Sequence, residues 1–485
     1  MRRRGLDPWV QAELPAPPAP RGLGWVKVVG PGVIVLGVSI GGGEFLLGPA
    51  AFVRYGLALL WVVPVAVVFQ TIFNTEVMRY TMATGEPVFT GFMRTAPSPR
   101  LWAWVYAGLY FLQIGWPGAA ATAAAAIFFL FARRLPEEAS DTNTIYLIGV
   151  AAFLVCAFAL SVGRRVERTL ELLNWVLVVA ILGGFLVLAV VFVPAGTWLA
   201  ATAGLVGYDP AAGRFAFFPA GADIVLIAAL VAYAGSGGVV NLTLSNWARD
   251  KGYGMSQHAG YIPAAVGGKH VHLAHTGFTF AEGEESMQRW RGWWRLVRVD
   301  QWGIFCGGAI IGMMLPALLY VTFLPAGSDL QNLAISAALA FAVNEAAGLI
   351  AGGAIAFLGA WLLFKTQLDL LDGMVRTLTD LLWTGSRRVR SWRGGDIRAV
   401  YYGVMAVVVG WAFIALRLAQ PIVLLIIAAN VAGAVFVISS LHLLYINTRL
   451  LPPQVRPPAW RRAALVGMAA FYGFFVVMSL RASIG

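Results

Sequence analysis

Gly37-Val38-Ser39-Ile40-Gly41-Gly42-Gly43-Glu44-Phe45 lies in the middle of a long apolar stretch and carries the only carboxylate in it. Each glycine weakens a helix by roughly 1 kcal/mol relative to alanine, so three in a row predict that a helix beginning near Val28 gives way about halfway across a bilayer. Glu44 stands at that break. An ionisable group at membrane depth is costly and marks a functional site by default, and irregular backbone is tolerated there only where it is buried in protein or lines a cavity. Gly41, Gly42, Gly43 and Glu44 are therefore read as half of a substrate site.

The rest of the chain fits a membrane setting. Of its 485 residues 59 % are hydrophobic and only 12 % charged, with a mean hydropathy of +0.75, which excludes an ordinary water-soluble protein. Cys156 and Cys306 both lie inside apolar runs, so no disulfide framework is on offer. Residues 1–27 combine Arg2, Arg3 and Arg4 with a proline-rich run but no apolar core behind them, which reads as a disordered cytoplasmic tail rather than a signal peptide.

Apolar spans long enough for a hydrocarbon core of about 30 Å follow at 28–56, 58–78, 101–131, 144–163, 170–194, 222–247, 302–324, 341–371, 398–418, 421–446 and 459–480. These are numbered 1 to 11. With the N-terminus inside, 28 of the 35 Lys and Arg fall on the cytoplasmic side and six outside, with Lys365 left within span 8. That asymmetry sets the orientation and removes nucleic acid as the reason for a formal charge of +12.

A second glycine-rich interruption matches the first. Span 6 runs apolar from Asp223 to Ala234, about 12 residues or roughly 18 Å, and then meets Gly235-Ser236-Gly237-Gly238. Span 1 enters from inside and span 6 from outside, so the two breaks approach one another from opposite directions. Glycine-interrupted helices at matching places in two halves of opposite topology are the mark of an inverted-repeat transporter. On this plan 28–194 is the first repeat of five helices, 222–446 the second, with a cytoplasmic loop at 248–300, and 459–480 an added eleventh helix.

Several of these stretches resemble one family. Gly30-Pro31-Gly32 followed by Ile40-Gly41-Gly42-Gly43-Glu44-Phe45 is similar to the first helix of the Nramp divalent-metal transporters, with its Gly-Pro-Gly and then Asp-Pro-Gly-Asn-Phe. Asn241-Leu242-Thr243-Leu244 resembles the Asn-Leu-Tyr-Leu that follows Met-Pro-His in that family's sixth helix. Thr84-Gly85-Glu86 and Arg165-Val166-Glu167 fit as well. The resemblance implies an all-α membrane protein of the broken-helix inverted-repeat superfamily that moves a divalent cation by alternating access. The family's metal ligands are an Asp and an Asn in the first motif and a Met in the second, with a His linked to protons. Here Gly41, Glu44, Gly238 and Val240 stand in those positions. The soft thioether that favours transition metals is missing, and span 3 offers Gln113 but no carboxylate for a proton path.

Glu44 has three readings: a hard oxygen ligand to a cation, aided by carbonyls near the breaks; the carrier of a coupling proton; or an anion capping the positive end of a half-helix. Gly235, Ser236, Gly237, Gly238, Asn241 and Asn430 complete the candidate substrate site. Bare amides at a half-helix N-terminus also suit the carboxylate of an amino-acid-like solute, which makes an organic-solute carrier the alternative function. A non-transporting sensor or scaffold is the second alternative. In span 8, Lys365, Gln367, Asp369 and Asp372 are candidates for coupling or gating. Lys365, Asp369 and Asp372 share a helix face, and a neutralised structural pair is the competing reading. Gln70, Asn74 and His442 suggest interhelical hydrogen bonds.

The loop at 248–300 holds His258, His270, His272 and His275, which suggest either a metal site at the cytoplasmic mouth or a solvated loop. Its Arg289-Trp290-Arg291-Gly292-Trp293-Trp294-Arg295 reads as an interfacial helix on anionic lipid. No nucleophile–base pair, phosphate loop or catalytic metal motif points to an enzyme, and nothing calls for a cofactor. The expected partners are the transported ion or solute and the lipid bilayer. The expected location is a bacterial inner membrane, multi-pass, with the N-terminus cytoplasmic and the C-terminus outside.

Overall fold

A computed structural model describes residues 5–162, 166–219, 221–266, 273–328, 330, 335–418 and 421–484. Among them ten helices are long and apolar enough to cross a membrane: Pro31–Tyr55, Leu57–Thr84, Pro99–Ala132, Glu138–Ser161, Val166–Phe192, Glu284–Phe323, Leu349–Gly385, Ile397–Ala415, Leu425–Arg449 and Ala459–Ser483. They match spans 1–5 and 7–11. Span 6 supplies the eleventh crossing as two shorter helices, Ile224–Tyr233 and Val239–Lys251. The chain is an all-α multi-pass membrane protein.

Burial decides which spans form the centre. In span 1, 94 % of the most apolar window is buried, against 28 % in span 5 and 33 % in each of spans 4, 9 and 11. Spans 1 and 6 are thus the axis, with apolar residues on every side, and the outer helices expose their Leu, Val and Phe side chains as lipid-facing helices do.

The two glycine interruptions differ in kind. Span 6 unwinds: Ala234 leaves the helix, and Gly235, Gly237 and Gly238 take φ values of +113°, +82° and +51°, which L side chains rarely adopt. Span 1 does not unwind. Its α-helix, Pro31–Ser39, gives way at the expected place to a π-helical stretch, Ile40–Leu47, and resumes as Gly48–Tyr55. The magnitudes explain the outcome. Three glycines cost a helix roughly 3 kcal/mol, whereas each backbone group left unpaired at membrane depth costs several. Span 6 has side chains that satisfy its freed groups, described below. No such partner is found for the backbone of 40–47 among the described residues. The glycines of span 1 serve close packing instead. A Cβ on Gly41 would meet the Thr366 side chain, and one on Gly43 the carbonyl of Tyr233.

Other expectations also needed correction. Span 8 does not begin at 341: a separate helix, Ile335–Ala347, ends at Gly348 with φ +85°, and span 8 then runs on to Gly385. Span 7 extends back to Glu284, so the Trp-Arg segment at 289–295 is continuous with it and is not a separate helix. Trp290 and Trp293 are buried, and the Trp293 indole donates to the Pro15 carbonyl at 2.8 Å.

Residues 5–17 of the tail have defined partners, where a disordered tail was expected. Val10–Gln11 pairs in parallel with Phe278–Thr279, the Trp9 indole donates to Glu86 at 3.1 Å, and Leu14 is fully buried. A proline-rich segment has little conformational entropy to lose, and here its carbonyls and apolar side chains find partners. Residues 5–17 strap the loop after span 6 to the end of span 2. The side of the bundle that carries this strap is called the N-terminal face below.

Candidate functional site

Two glutamines hold the unwound segment of span 6. Gln70 of span 2 accepts from the Ser236 amide at 3.0 Å and from Asn241 Nδ2 at 3.2 Å, and donates to the Ala234 carbonyl at 3.0 Å. Gln113 of span 3 accepts from the Val239 amide at 2.9 Å and donates to the Gly237 carbonyl at 3.0 Å. A primary amide offers both a donor and an acceptor, so one side chain replaces two lost helical hydrogen bonds. Asn74 accepts from Asn241 Nδ2 at 2.9 Å and completes this brace.

Between the two interrupted helices lies a cavity of about 40 Å³, bounded by Gly42, Gly43, Gln113, Tyr233, Ser236 and Thr366 among others. That volume holds a few waters or one small ion. The Ser236 hydroxyl is buried there with no hydrogen-bond partner among the described residues. Leu425 and Ala428 are what span 10 contributes. Asn430 is elsewhere, donating to the Ile426 and Val225 carbonyls at 2.9 and 3.3 Å and accepting from Ser479 at 2.7 Å.

Glu44 follows cavity-lining Gly43 but points the other way, toward span 7. It is fully buried. The Ser39 hydroxyl donates to Oε1, while Oε2 has no partner among the described residues and faces Gly312, where a Cβ would overlap it. Lys365 enters from span 8 beside Gly37, the counterpart on span 1, whose missing side chain makes room for the ammonium. Its Nζ lies 2.9 Å from Asp369 Oδ2, and Asn174 of span 5 donates to Asp369 Oδ1 at 2.9 Å. A buried Glu44, Lys365 and Asp369 thus lie along one side of span 1, with the cavity on the other.

Asp372 belongs to a different group. It accepts from Arg376 twice at 2.9 Å, from the Trp247 indole at 2.8 Å and from the Tyr401 hydroxyl at 2.6 Å. Arg376 also binds Asp250, which accepts from Arg249 at 2.7 Å, and Arg249 reaches Asp380 at 2.6 Å. Five buried charges therefore join the second half of span 6 to span 8 on the N-terminal face. The i, i+4 spacing of Asp372, Arg376 and Asp380 carried this signal in the sequence. On the same face Asp300 accepts from the amides of Gly30 and Gly32 at 3.0 and 2.9 Å, which caps span 1 from span 7. Lys251 pairs with Glu171 there too.

The remaining candidates have structural roles in this conformation. Gln367 accepts from the Ala120 amide at 3.1 Å, where Gly115 to Pro117 interrupt span 3. His442 sits between Thr95 and Tyr106 at 2.9 and 3.0 Å. His258 contacts the Glu13 carbonyl at 2.9 Å and His275 contacts Asp7 at 3.2 Å, while His270 and His272 lie outside the described residues. Among the described residues no group of three or more His, Cys, Asp or Glu is placed to hold a metal ion.

Interrupted helices crossing at the centre of a multi-pass bundle define the class: a membrane protein with the broken-helix transporter fold. No family model matches the chain. It is 30 % identical over 168 residues to the divalent metal cation transporter MntH of Chromohalobacter salexigens, a match covering 34 % of this chain and about a third, 36 %, of that relative. A manganese transporter of Eremococcus coleocola superposes with a TM-score of 0.67 at 14 % identity, covering 97 % of this chain and 89 % of that one. MhsT in complex with L-phenylalanine superposes with a TM-score of 0.50 at 12 % identity, covering 97 % of this chain and 100 % of that one. The resemblance to the Nramp transporters within the broken-helix superfamily is borne out.

Proposed function

We propose that the chain is a secondary-active transporter that moves a divalent metal cation across the membrane by alternating access. The observation that carries this reading is Glu44. It is a carboxylate buried at the interruption of span 1, with one oxygen free of partners among the described residues, next in sequence to a residue that walls the central cavity. A carboxylate is a hard oxygen ligand and suits a hard or partly hydrated cation. The cavity's small volume suits an ion better than an amino acid. Two of the three proteins named above are a divalent metal cation transporter and a manganese transporter.

In this reading the buried charges on the N-terminal face are the closed inner gate, and Lys365 with Asp369 is a coupling or gating pair beside the site. Five helices and five helices form the two repeats, the N-terminus faces the cytoplasm, and the membrane is a bacterial inner membrane. The excess of Lys and Arg on the tail side supports that orientation. The test is flux into proteoliposomes with Mn²⁺, Mg²⁺, Ca²⁺ and a panel of amino acids, comparing the natural protein with Glu44→Gln. Saturable divalent-ion flux that the variant loses is the expected result. Flux of an organic solute that ignores metals would overturn it.

A further inference from the structure

A second concavity lies away from the centre. A groove of about 1430 Å³ runs between spans 3, 8 and 9, larger than the roughly 300–1,000 Å³ of a small-molecule pocket. Its shaft is apolar, lined by Trp104, Phe111, Val404, Val407 and Trp411. The shoulders stand out toward the lipid side, with Trp104 76 % and Val407 73 % exposed. Its far end closes where the Phe111 and Trp411 rings meet at 5.4 Å. From Arg100 to Phe111, and again from Val400 to Trp411, each wall rises about 16 Å. Half of a hydrocarbon core is about 15 Å. The shaft therefore has the depth of one leaflet.

The mouth has the opposite chemistry. Arg100, Arg387 and Arg390 gather there on the N-terminal face, and the one acid among the lining residues, Asp7, is turned to His275 at 3.2 Å. Arg390 is anchored by donating to the Trp383 and Thr384 carbonyls at 2.8 and 3.0 Å. Arg100 and Arg387 have no hydrogen bond or ion pair to the described residues. Burial, and after it the charge of Arg387, holds the Arg390 guanidinium below its ordinary value, with Asp7 opposing. Three cations thus face one carboxylate, which is already turned to His275.

We infer that this groove binds one anionic phospholipid of the leaflet on the N-terminal face, with its phosphate among Arg100, Arg387 and Arg390 and an acyl chain along the shaft to Trp411. Charge complementarity at the mouth and a shaft one leaflet deep select this occupant over a soluble anion, which would leave the shaft empty. A zwitterionic lipid would leave the arginines' excess charge unmatched.

The test uses the full chain in nanodiscs and in mild detergent. Native mass spectrometry should find phosphatidylglycerol retained through delipidation, and titration should favour it over phosphatidylcholine of the same chains by at least about tenfold. Arg100→Gln with Arg387→Gln should weaken phosphatidylglycerol binding by about thirtyfold, roughly 1 kcal/mol for each arginine at a membrane surface, and weaken phosphatidylcholine binding less, so that the preference narrows. Val404→Trp, which fills the shaft, should reduce binding of both. Equal retention of the two lipids by the natural protein overturns the inference without recourse to a variant. So does displacement of the lipid by millimolar inorganic phosphate, which would make the mouth an anion site with no use for the chain.

Discussion

Arg376→Met should open the N-terminal face. Arg376 is fully buried and makes charge-assisted bonds to Asp372 and Asp250, so its loss leaves Asp372 without a cation and Asp250 with Arg249 alone. Breaking a buried pair by removing one partner costs about 3–5 kcal/mol. That penalty falls on the closed arrangement only, because separation of spans 6 and 8 lets water reach both carboxylates. A 3 kcal/mol shift changes the ratio of closed to open by about a hundredfold. Ser245→Cys reports the change: Ser245 is fully buried in the second half of span 6, and the native thiols, Cys156 and Cys306, are buried as a quiet background. Labelling at position 245 by a charged thiol reagent from the N-terminal side should accelerate by about two orders of magnitude in Arg376→Met. Adding Asp250→Asn and Asp372→Asn removes the excess negative charge and should return labelling toward the original rate. If the single variant labels no faster, or the triple variant labels as fast as the single, the cluster is not what holds this face shut.

Gln113→Leu deprives the span 6 break of two buried hydrogen bonds, each unsatisfied group costing about 1–3 kcal/mol; thermal unfolding in detergent should fall by several degrees, and Gln113→Glu, which keeps the acceptor, should fall less. Gly312→Ala improves helix propensity by up to about 1 kcal/mol, yet its methyl meets the Glu44 carboxylate, so thermal stability should hold or drop and proteoliposome flux should decline. A gain of stability with undiminished flux would refute the close packing of Glu44 on span 7. Removal of residues 5–17 should raise hydrogen exchange at 273–283, since the strand pairing and the bonds to Glu86 and Trp293 go with it; unchanged protection would deny the tail its strapping role.

What the sequence shows and hides divides along physical lines. Spans were legible because a run of apolar residues of membrane length has few other uses, and the span 6 break was legible because Gly235, Gly237 and Gly238 sit where only glycine is at ease. The form of the span 1 interruption was not, because propensity counts a glycine's cost and takes no account of Thr366 and Tyr233 packed against it. Gln70 read as a generic interhelical polar group and Gln113 as what span 3 offers in place of a carboxylate, and nothing local reveals that their partners are the backbone of a third helix. Asp372 was grouped with Lys365 by helical face, whereas Arg376, one turn on, is its partner. The tail read as disordered from its prolines, since the sites that order it lie more than 70 residues away in the chain.

A π-helical stretch holds one more residue per wide turn than an α-helix would use for the same climb. Residues 40–47 therefore carry slack in the windings at the middle of span 1. Taking it up would slip the register by one residue and swing the side chains on one side of the stretch by about 100°. Gly43 and Glu44 are neighbours, one against Tyr233 beside the cavity and the other against Gly312. A slip of one place is the smallest movement that would trade a bare wall for a negative one, and span 1 could make it like a screw turning in its thread, without unwinding.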